Sequence, residues 1–102
     1  MAGKVAGLRL FDDEDGAPSR WSVVEANASI LAVSQFTLVA DCRKGRRPSF
    51  DRAMPSTEAT ALFERFVAEL RTEVSHVETG RFGADMRVRL VNDGPYTFVV
   101  DS

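Results

Sequence analysis

The clearest pattern in this 102-residue chain is an apolar stripe at helical spacing between residues 59 and 74. Its members recur three or four residues apart, which is the repeat of one helix face. They are Ala59, Leu62, Phe63, Phe66, Val67, Leu70 and Val74. Pro55 precedes the stripe, and we expect Ser56 to cap the helix with Glu58 in its first turn. The pattern therefore predicts one amphipathic helix that ends near His76.

A second pattern is the apolar run from Ile30 to Val39, which predicts the strongest strand of the chain, covered on both faces. Ser34, Gln35 and Thr37 interrupt this run. Strand alternation would put Ser34 on one face and the other two on the opposite face. A buried hydroxyl or amide without a partner costs about 1–3 kcal/mol. These groups therefore either meet water or cross-strand partners where the strand leaves the core, or they serve a function.

The remaining segments complete the predicted order of elements. Residues 1–11 have helical spacing but begin without a cap, as if a helix had been cut in its middle. The segments that follow are an acidic loop at 12–20, a short extended piece at Trp21–Val24, a glycine-rich turn at 77–84, and strands at Met86–Val91 and Tyr96–Val100. Together they predict a single α+β domain over residues 1–102, with a helix packed on a mixed or antiparallel sheet.

Composition narrows the classes of function. Cys42 is the only cysteine, so no internal disulfide can form, which fits a reducing compartment and most simply the cytoplasm. His76 is the only histidine, so we predict a solvated or capping role for it and no metal, cofactor or catalytic triad. No apolar run approaches the ~20 residues of a membrane span. The net charge of −2 means that nucleic-acid binding would need a local basic patch.

Such a patch is present in the segment CRKGRRPSF, residues 42–50. Its four cations surround a glycine and are Arg43, Lys44, Arg46 and Arg47. Cations at this density suit a phosphate backbone. A solvated loop that keeps the protein soluble explains the same residues, and the local pattern leaves both interpretations open.

The segment NDGPYT, residues 92–97, has the pattern of a turn with an awkwardly placed proline. Pro95 removes a ladder donor where a returning strand would begin to pair. Only about 5–6% of Xaa-Pro bonds in folded proteins are cis, so the local pattern alone argues against a cis bond between Gly94 and Pro95.

Taken together and in this order, these segments resemble one family, the D-aminoacyl-tRNA deacylases, also called D-tyrosyl-tRNA(Tyr) deacylases. Its motifs SQxxT and NxGPxT stand unchanged as Ser34-Gln35-Phe36-Thr37 and as residues 92–97, with the basic loop between them. The resemblance covers nearly all of the chain. Family members begin with a β-hairpin, a further strand and the start of a first helix. The resemblance therefore implies the deacylase fold without these parts, an N-terminally truncated form.

The resemblance also implies an activity. The family forms homodimers, with the active site at the subunit interface, that hydrolyse the ester joining a D-amino acid to the 3′-terminal adenosine of tRNA, without a cofactor. Gly94 and Pro95, joined by a cis bond and flanked by Asn92 and Thr97, would reach into the partner's pocket as a chiral filter. A rigid wall there would exclude L side chains by collision. Achiral glycine would pass, so glycyl-tRNA mischarged on tRNA for alanine is an implied second substrate.

Roles for the other motif residues follow from the same resemblance. Phe36 would contact the adenosine, Ser34 and Gln35 would supply polar contacts, Thr37 would lie nearest the carbonyl, and Met86 would close the pocket. Thr37 is a candidate nucleophile, but we identify no base to activate it. We therefore favour a water molecule assisted by the ribose 2′-OH. The basic loop would contact tRNA phosphates. A non-catalytic remnant that binds RNA, or a dimeric structural protein, is the alternative.

Overall fold

The computed structural model describes residues 1–94 and 96–102. Within them, two α-helices, four short strands and one 3-10 helix follow the chain. The helices are α1 (Ala2–Gly7) and α2 (Ser56–Glu73), the strands are β1 (Arg9–Phe11), β2 (Trp21–Ser22), β3 (Ile30–Ala32) and β4 (Val77–Thr79), and the 3-10 helix covers Phe36–Val39. The predicted α+β class is confirmed.

The strands pair in two separate two-stranded sheets, where the sequence suggested one. β1 and β2 are antiparallel, whereas β3 and β4 are parallel, with Ile30 opposite Val77 and Ala32 opposite Thr79. Parallel strands need a long crossover connection, and α2 lies within the one that joins β3 to β4. The C-terminal end of the helix at Glu73 therefore leads within four residues into β4, which begins at Val77.

The predicted amphipathic helix is confirmed as α2, but its predicted cap is wrong. Pro55 occupies the N-cap position, and Ser56 is already the first helical residue. Among the described residues no side chain caps this end. The hydroxyl of Thr60 instead donates to the carbonyl oxygen of Ser56 at 2.8 Å, a bond within the first turn. Helix formation here depends on the apolar face rather than on a cap.

The core is small, and α2 divides its apolar stripe between the core and another surface. The buried apolar residues are Ala2, Ala6, Val23, Ala32, Val67, Leu70, Val74 and Val77. Leu70, in the C-terminal half of α2, is only 1% exposed, whereas Leu62 in the N-terminal half is 55% exposed. The apolar stripe therefore serves two surfaces. Its C-terminal half lies fully in the core, whereas its N-terminal half does not.

The predicted strand Ile30–Val39 is wrong beyond Ala32, because the last four residues form the 3-10 helix. Both faces were expected to be covered, yet Leu31 is 63% exposed. A strand needs a neighbour to bond its backbone, and β4 pairs with this segment over three residues only. The chain after Ala32 is therefore released from the sheet.

Other sequence-based boundaries also change. The predicted strands at 86–91 and 96–100 are wrong, because none of the described residues after Thr79 belongs to a strand. The expected turn at 77–84 begins instead with β4. Residues 9–11 form β1 and do not extend the first helix. Among the described residues, no helix combines the length and apolar content that crossing a membrane requires.

Candidate active site

A cavity of about 1080 Å³ lies beyond the ends of β3 and β4. Most of its lining comes from the segment that follows β3, the N-terminal half of α2, and residues 82–88. Met1, Ala53, Met54 and Ser102 complete it. Ser34, Gln35, Phe36 and Met86 are among the lining residues. The SQxxT motif and Met86, which are far apart in the sequence, therefore share one concave surface.

The parallel strand pair positions this surface. The N–H of Gly80 donates to the carbonyl oxygen of Ala32 at 3.1 Å, which extends the pairing just past both strands. The two segments then separate and line the cavity. Ser34 is half-buried and Gln35 is exposed, and both line the same cavity. The predicted alternation between two faces is wrong because the strand has already ended at Ala32.

Thr37 lies next to this surface but is not one of its lining residues. The side-chain nitrogen of Gln35 donates a hydrogen bond of 2.6 Å to the Thr37 hydroxyl oxygen. An amide donor cannot take a proton from a hydroxyl, so this contact orients Thr37 without activating it. His76 is solvated as predicted, and its Nε2 lies 3.4 Å from a carboxylate oxygen of Glu78. The chain's only histidine is thus engaged elsewhere.

The basic loop is closed at its base. The N–H of Asp41 donates to the carbonyl oxygen of Ser49 at 2.8 Å, and the N–H of Ser49 donates back to Asp41 at 2.9 Å. Gly45, inside the loop, has a φ of +71°, a conformation that glycine adopts without steric cost. This pairing presents the four cations of residues 43–47 on a defined turn.

Arg43 differs from the other cations of the loop because it binds Asp41. Its Nε donates to both carboxylate oxygens, at 2.9 and 3.1 Å, its terminal nitrogen donates to one of them, and its backbone N–H donates at 3.0 Å. The side-chain and backbone bonds from Arg43 lower the pKa of Asp41 to about 2. The same side-chain bond raises the pKa of Arg43. The charge of Arg43 is therefore largely compensated, and Lys44, Arg46 and Arg47 supply the exposed positive charge.

Two aromatic side chains line the cavity although the sequence patterns gave them no role in a site. Phe63 of α2 and Phe82 both line it, with ring centroids 6.2 Å apart and planes inclined by 50°. Met54, which precedes α2, also lines the cavity. The stripe pattern alone places Phe63 in the core, because helical spacing does not reveal which turns of a helix face a cavity. Residue type does not reveal this division either, because Leu62 lines the cavity whereas Leu70 is buried in the core.

The segment NDGPYT lies apart from the cavity of its own chain. Pro95, and with it the predicted cis bond, falls outside the described residues. Asn92, Gly94 and Thr97 are exposed, and none of them is among the lining residues. A Cβ atom at Gly94 would collide with the backbone nitrogen of Tyr96 and lie 3.0 Å from Oδ1 of Asn92. Glycine is therefore required at position 94 by the close approach of its neighbours.

A hydrogen bond connects the NDGPYT segment to the acidic loop at residues 12–20. The hydroxyl groups of Tyr96 and Ser19 are 3.1 Å apart, and either can donate. The Tyr96 ring also stacks on Phe98, with centroids 6.0 Å apart.

Comparison with known proteins gives concordant matches. Residues 1–101 match the family model described as D-Tyr-tRNA(Tyr) deacylase. A D-aminoacyl-tRNA deacylase of Symbiobacterium thermophilum is 57% identical over all 102 residues, which cover 67% of its length. One from Thermotoga petrophila is 55% identical, with 68% of its length covered. The chain spans about two thirds of the length of these curated relatives.

A solved structure agrees with these matches. The protein described as c-Myc DNA Unwinding Element Binding Protein superimposes with a TM-score of 0.84 and 39% sequence identity. The superposition covers 94% of this chain and 65% of that one.

Proposed function

The chain belongs to the D-Tyr-tRNA(Tyr) deacylase family, and we propose that it hydrolyses the ester bond of D-aminoacyl-tRNA. Its curated relatives are named for this activity. The observation that carries the proposal is the shared cavity, because Ser34, Gln35 and Phe36 line it together with Met86. The family resemblance implies these residues for the aminoacylated adenosine; three come from the SQxxT motif, and Met86 lies outside both motifs. The step would serve as chiral proofreading in translation.

In the proposed reaction, a water oxygen attacks the carbonyl carbon of the ester. The bond from that carbon to the ribose 3′ oxygen breaks, and the departing oxygen takes up a proton. The products are the free D-amino acid and tRNA with a 3′-OH. We propose that the ribose 2′-OH assists the attacking water. The described side-chain contact of Thr37 is with the amide of Gln35, which cannot act as a base. The protein's contribution is then orientation of the ester and stabilisation of its developing oxyanion by backbone N–H groups.

We assign the adenosine to the cavity wall at Phe36, a residue that is 62% exposed and so available for stacking. Ser34 and Gln35 would orient the ester through hydrogen bonds, with Thr37 held beside them. Met86 would close the opposite side. The volume of about 1080 Å³ is slightly above the range of roughly 300–1,000 Å³ that is typical of ligand sites, which leaves room for a nucleoside with its aminoacyl group.

We assign chiral selection to Gly94 and Pro95, with Asn92 and Thr97 as their support. The tight surroundings of Gly94 support a rigid backbone at this position. Such a wall would exclude L side chains by steric collision and admit D side chains and glycine. Glycyl-tRNA mischarged on tRNA for alanine is thus a proposed second substrate.

The active form would be a homodimer in which each chain supplies its NDGPYT segment to the cavity of the other. Two observations favour this arrangement. The described residues of that segment lie outside the cavity of their own chain. Flanking apolar side chains are strongly exposed, with Val91 at 91% and Val99 at 90%, as expected of a surface that a second copy covers.

The second proposed partner is the tRNA itself. Lys44, Arg46 and Arg47 would contact its phosphates, with Arg43 contributing mainly to the shape of the loop. Phosphate contacts fix register and orientation without reading sequence, which suits an enzyme that must act on many tRNAs. Translation takes place in the cytoplasm, and we assign the protein to that compartment. We also propose that residues 1–102 form a single domain.

The test is hydrolysis of D-tyrosyl-tRNA and L-tyrosyl-tRNA by the purified chain. We expect release of D-tyrosine and no comparable release of L-tyrosine. Equal hydrolysis of both would contradict the chiral assignment. Binding of tRNA without hydrolysis of either ester would support the non-catalytic alternative instead, and gel filtration of the same sample reports whether the chain is dimeric.

A further inference from the structure

We propose that Gly80 positions the Met86 thioether and thereby sets the width of the cavity where Met86 lines it. The inference rests on the proposed function for the identity of the ligand. The geometry itself is independent of that function. Gly80 is not one of the lining residues and belongs to neither motif, so its role would be exerted through Met86.

Gly80 is fixed by the strand pair. Its N–H donates to Ala32 at the end of β3, one residue beyond the last paired residue of β4. The next residue, Arg81, donates its backbone N–H to the sulfur of Met86 at 3.3 Å. Thioether sulfur is a weak acceptor and methionine is a flexible side chain, so this bond alone would hold Met86 loosely.

The missing side chain at position 80 provides the second restraint. A Cβ atom there would lie 3.0 Å from the sulfur of Met86, 3.3 Å from its methyl carbon, and 3.4 Å from a methyl group of Val33. The thioether therefore occupies the space that any other residue at position 80 would fill. Glycine lets the side chain pack directly on the backbone at the cavity edge.

Substitution of Gly80 by alanine would move the thioether and leave the backbone in place. Two of the three atoms in the way belong to the flexible end of Met86, which is 39% exposed and free to turn toward the cavity. A thioether displaced in that direction would occupy volume that the proposed adenosine needs. We therefore expect weaker substrate binding with little change in the chemical step, because Ser34 and Gln35, which would orient the ester, belong to a different segment of the lining.

The first test follows the methyl carbon of Met86 by NMR in protein labelled at its methionine methyl groups. The chain has only three methionines, so the Met86→Ala variant assigns the signal. We expect Gly80→Ala to shift this signal and Gly7→Ala to leave it unchanged. Gly7 is a matched control, because a Cβ atom there meets nothing within 4 Å. An unmoved Met86 methyl signal in a folded Gly80→Ala protein would overturn the inference.

The second test measures kcat and KM for D-tyrosyl-tRNA. We expect Gly80→Ala to raise KM about five- to tenfold with kcat nearly unchanged, in the range of coupling between contacting residues. Combined with Met86→Ala, the Gly80→Ala change should have no further effect, because no thioether remains to be displaced. If Gly80→Ala raised KM equally in the wild type and in the Met86→Ala protein, Gly80 would have a structural role that does not act through Met86. Absence of activity in the wild type would refute the proposed function, and the methyl signal would still decide whether Gly80 fixes Met86.

Discussion

The ring of Phe50 meets the ring of Phe36 edge-on, with centroids 5.2 Å apart and planes inclined by 62°. Phe50 follows Ser49, whose backbone closes the basic loop against Asp41. Phe36 lines the cavity. A single aromatic contact thus joins the base of the proposed phosphate-binding loop to the wall proposed for the adenosine. Binding of tRNA at the loop and binding of its 3′ end in the cavity would therefore support each other.

Replacing Phe50 by leucine should weaken this connection and retain most of the apolar volume. Edge-to-face pairs contribute about 0.5–1.5 kcal/mol beyond their buried area, so we expect KM for D-aminoacyl-tRNA to rise about two- to tenfold. Steady-state kinetics provides the measurement, with thermal unfolding to verify the fold. Phe11→Leu is the matched control, since Phe11 is 37% exposed and Phe50 is 39% exposed. The same rise in KM in both variants would disprove a specific role for the Phe36–Phe50 pair.

The parts of the fold that could be predicted are those that local periodicity determines. The α2 stripe repeats over four turns and required only an apolar surface to pack against, so the helix was predicted to within one residue of its observed start at Ser56. The division of that stripe between core and cavity depends on tertiary packing, since Val67, Leu70 and Val74 share the core with residues of α1 and β4. Phe63 could therefore not be assigned to the cavity from its spacing alone.

The strands were predicted poorly because alternation reports a side-chain pattern and not a partner. Met86–Val91 alternates as a strand does, yet no described strand lies beside it to bond its backbone. β4 has only three residues, too few for any pattern. The candidate site came from a different source, the family resemblance, which grouped Ser34 with Met86, and both line the cavity although neither lies in a strand.

The hydroxyl of Thr37 should prove dispensable for hydrolysis. Loss of a true nucleophile costs on the order of 10⁴-fold or more in rate, whereas loss of one supporting hydrogen bond costs roughly tenfold. Because Thr37 accepts a bond from the Gln35 amide, we expect Thr37→Ala to fall in the second class. Single-turnover rates with D-tyrosyl-tRNA would show this.

A substrate that ends in 2′-deoxyadenosine is the companion to that variant. If the 2′-OH assists water, wild-type hydrolysis should drop by about 100-fold or more, in the range of general acid–base assistance. Complete inactivity of a folded Thr37→Ala protein, with the deoxy substrate still cleaved, would establish Thr37 as the nucleophile.

Removal of charge from the basic loop should alter the salt dependence of tRNA binding. Each phosphate contact contributes about 0.7–0.9 to the slope of log affinity against log salt concentration. We expect the double variant Arg46→Gln and Arg47→Gln to lower that slope by one such increment for each phosphate that the loop no longer binds. Filter binding across a range of salt concentrations measures the slope. Arg65→Gln is the control, because Arg65 lies on the exposed face of α2 and pairs with Glu69 at 3.2 Å. An unaltered slope in the double variant would exclude phosphate binding by this loop.

The Asp41–Arg43 contact should persist to a lower pH than the ordinary pKa of aspartate predicts. The bonds from Arg43 lower the pKa of Asp41 from 3.8 to about 2. A depressed pKa in the folded state means that the ionised carboxylate stabilises the fold fully above its unfolded pKa, and that this contribution is lost as the pH falls from about 4 toward 2. The NMR signal of the Arg43 Nε–H, followed from about pH 6 downward, should therefore change with a midpoint near 2. The Asp41→Asn protein has no carboxylate to titrate and should lack this transition, and a wild-type midpoint at 3.8 would show that the pair does not form in solution.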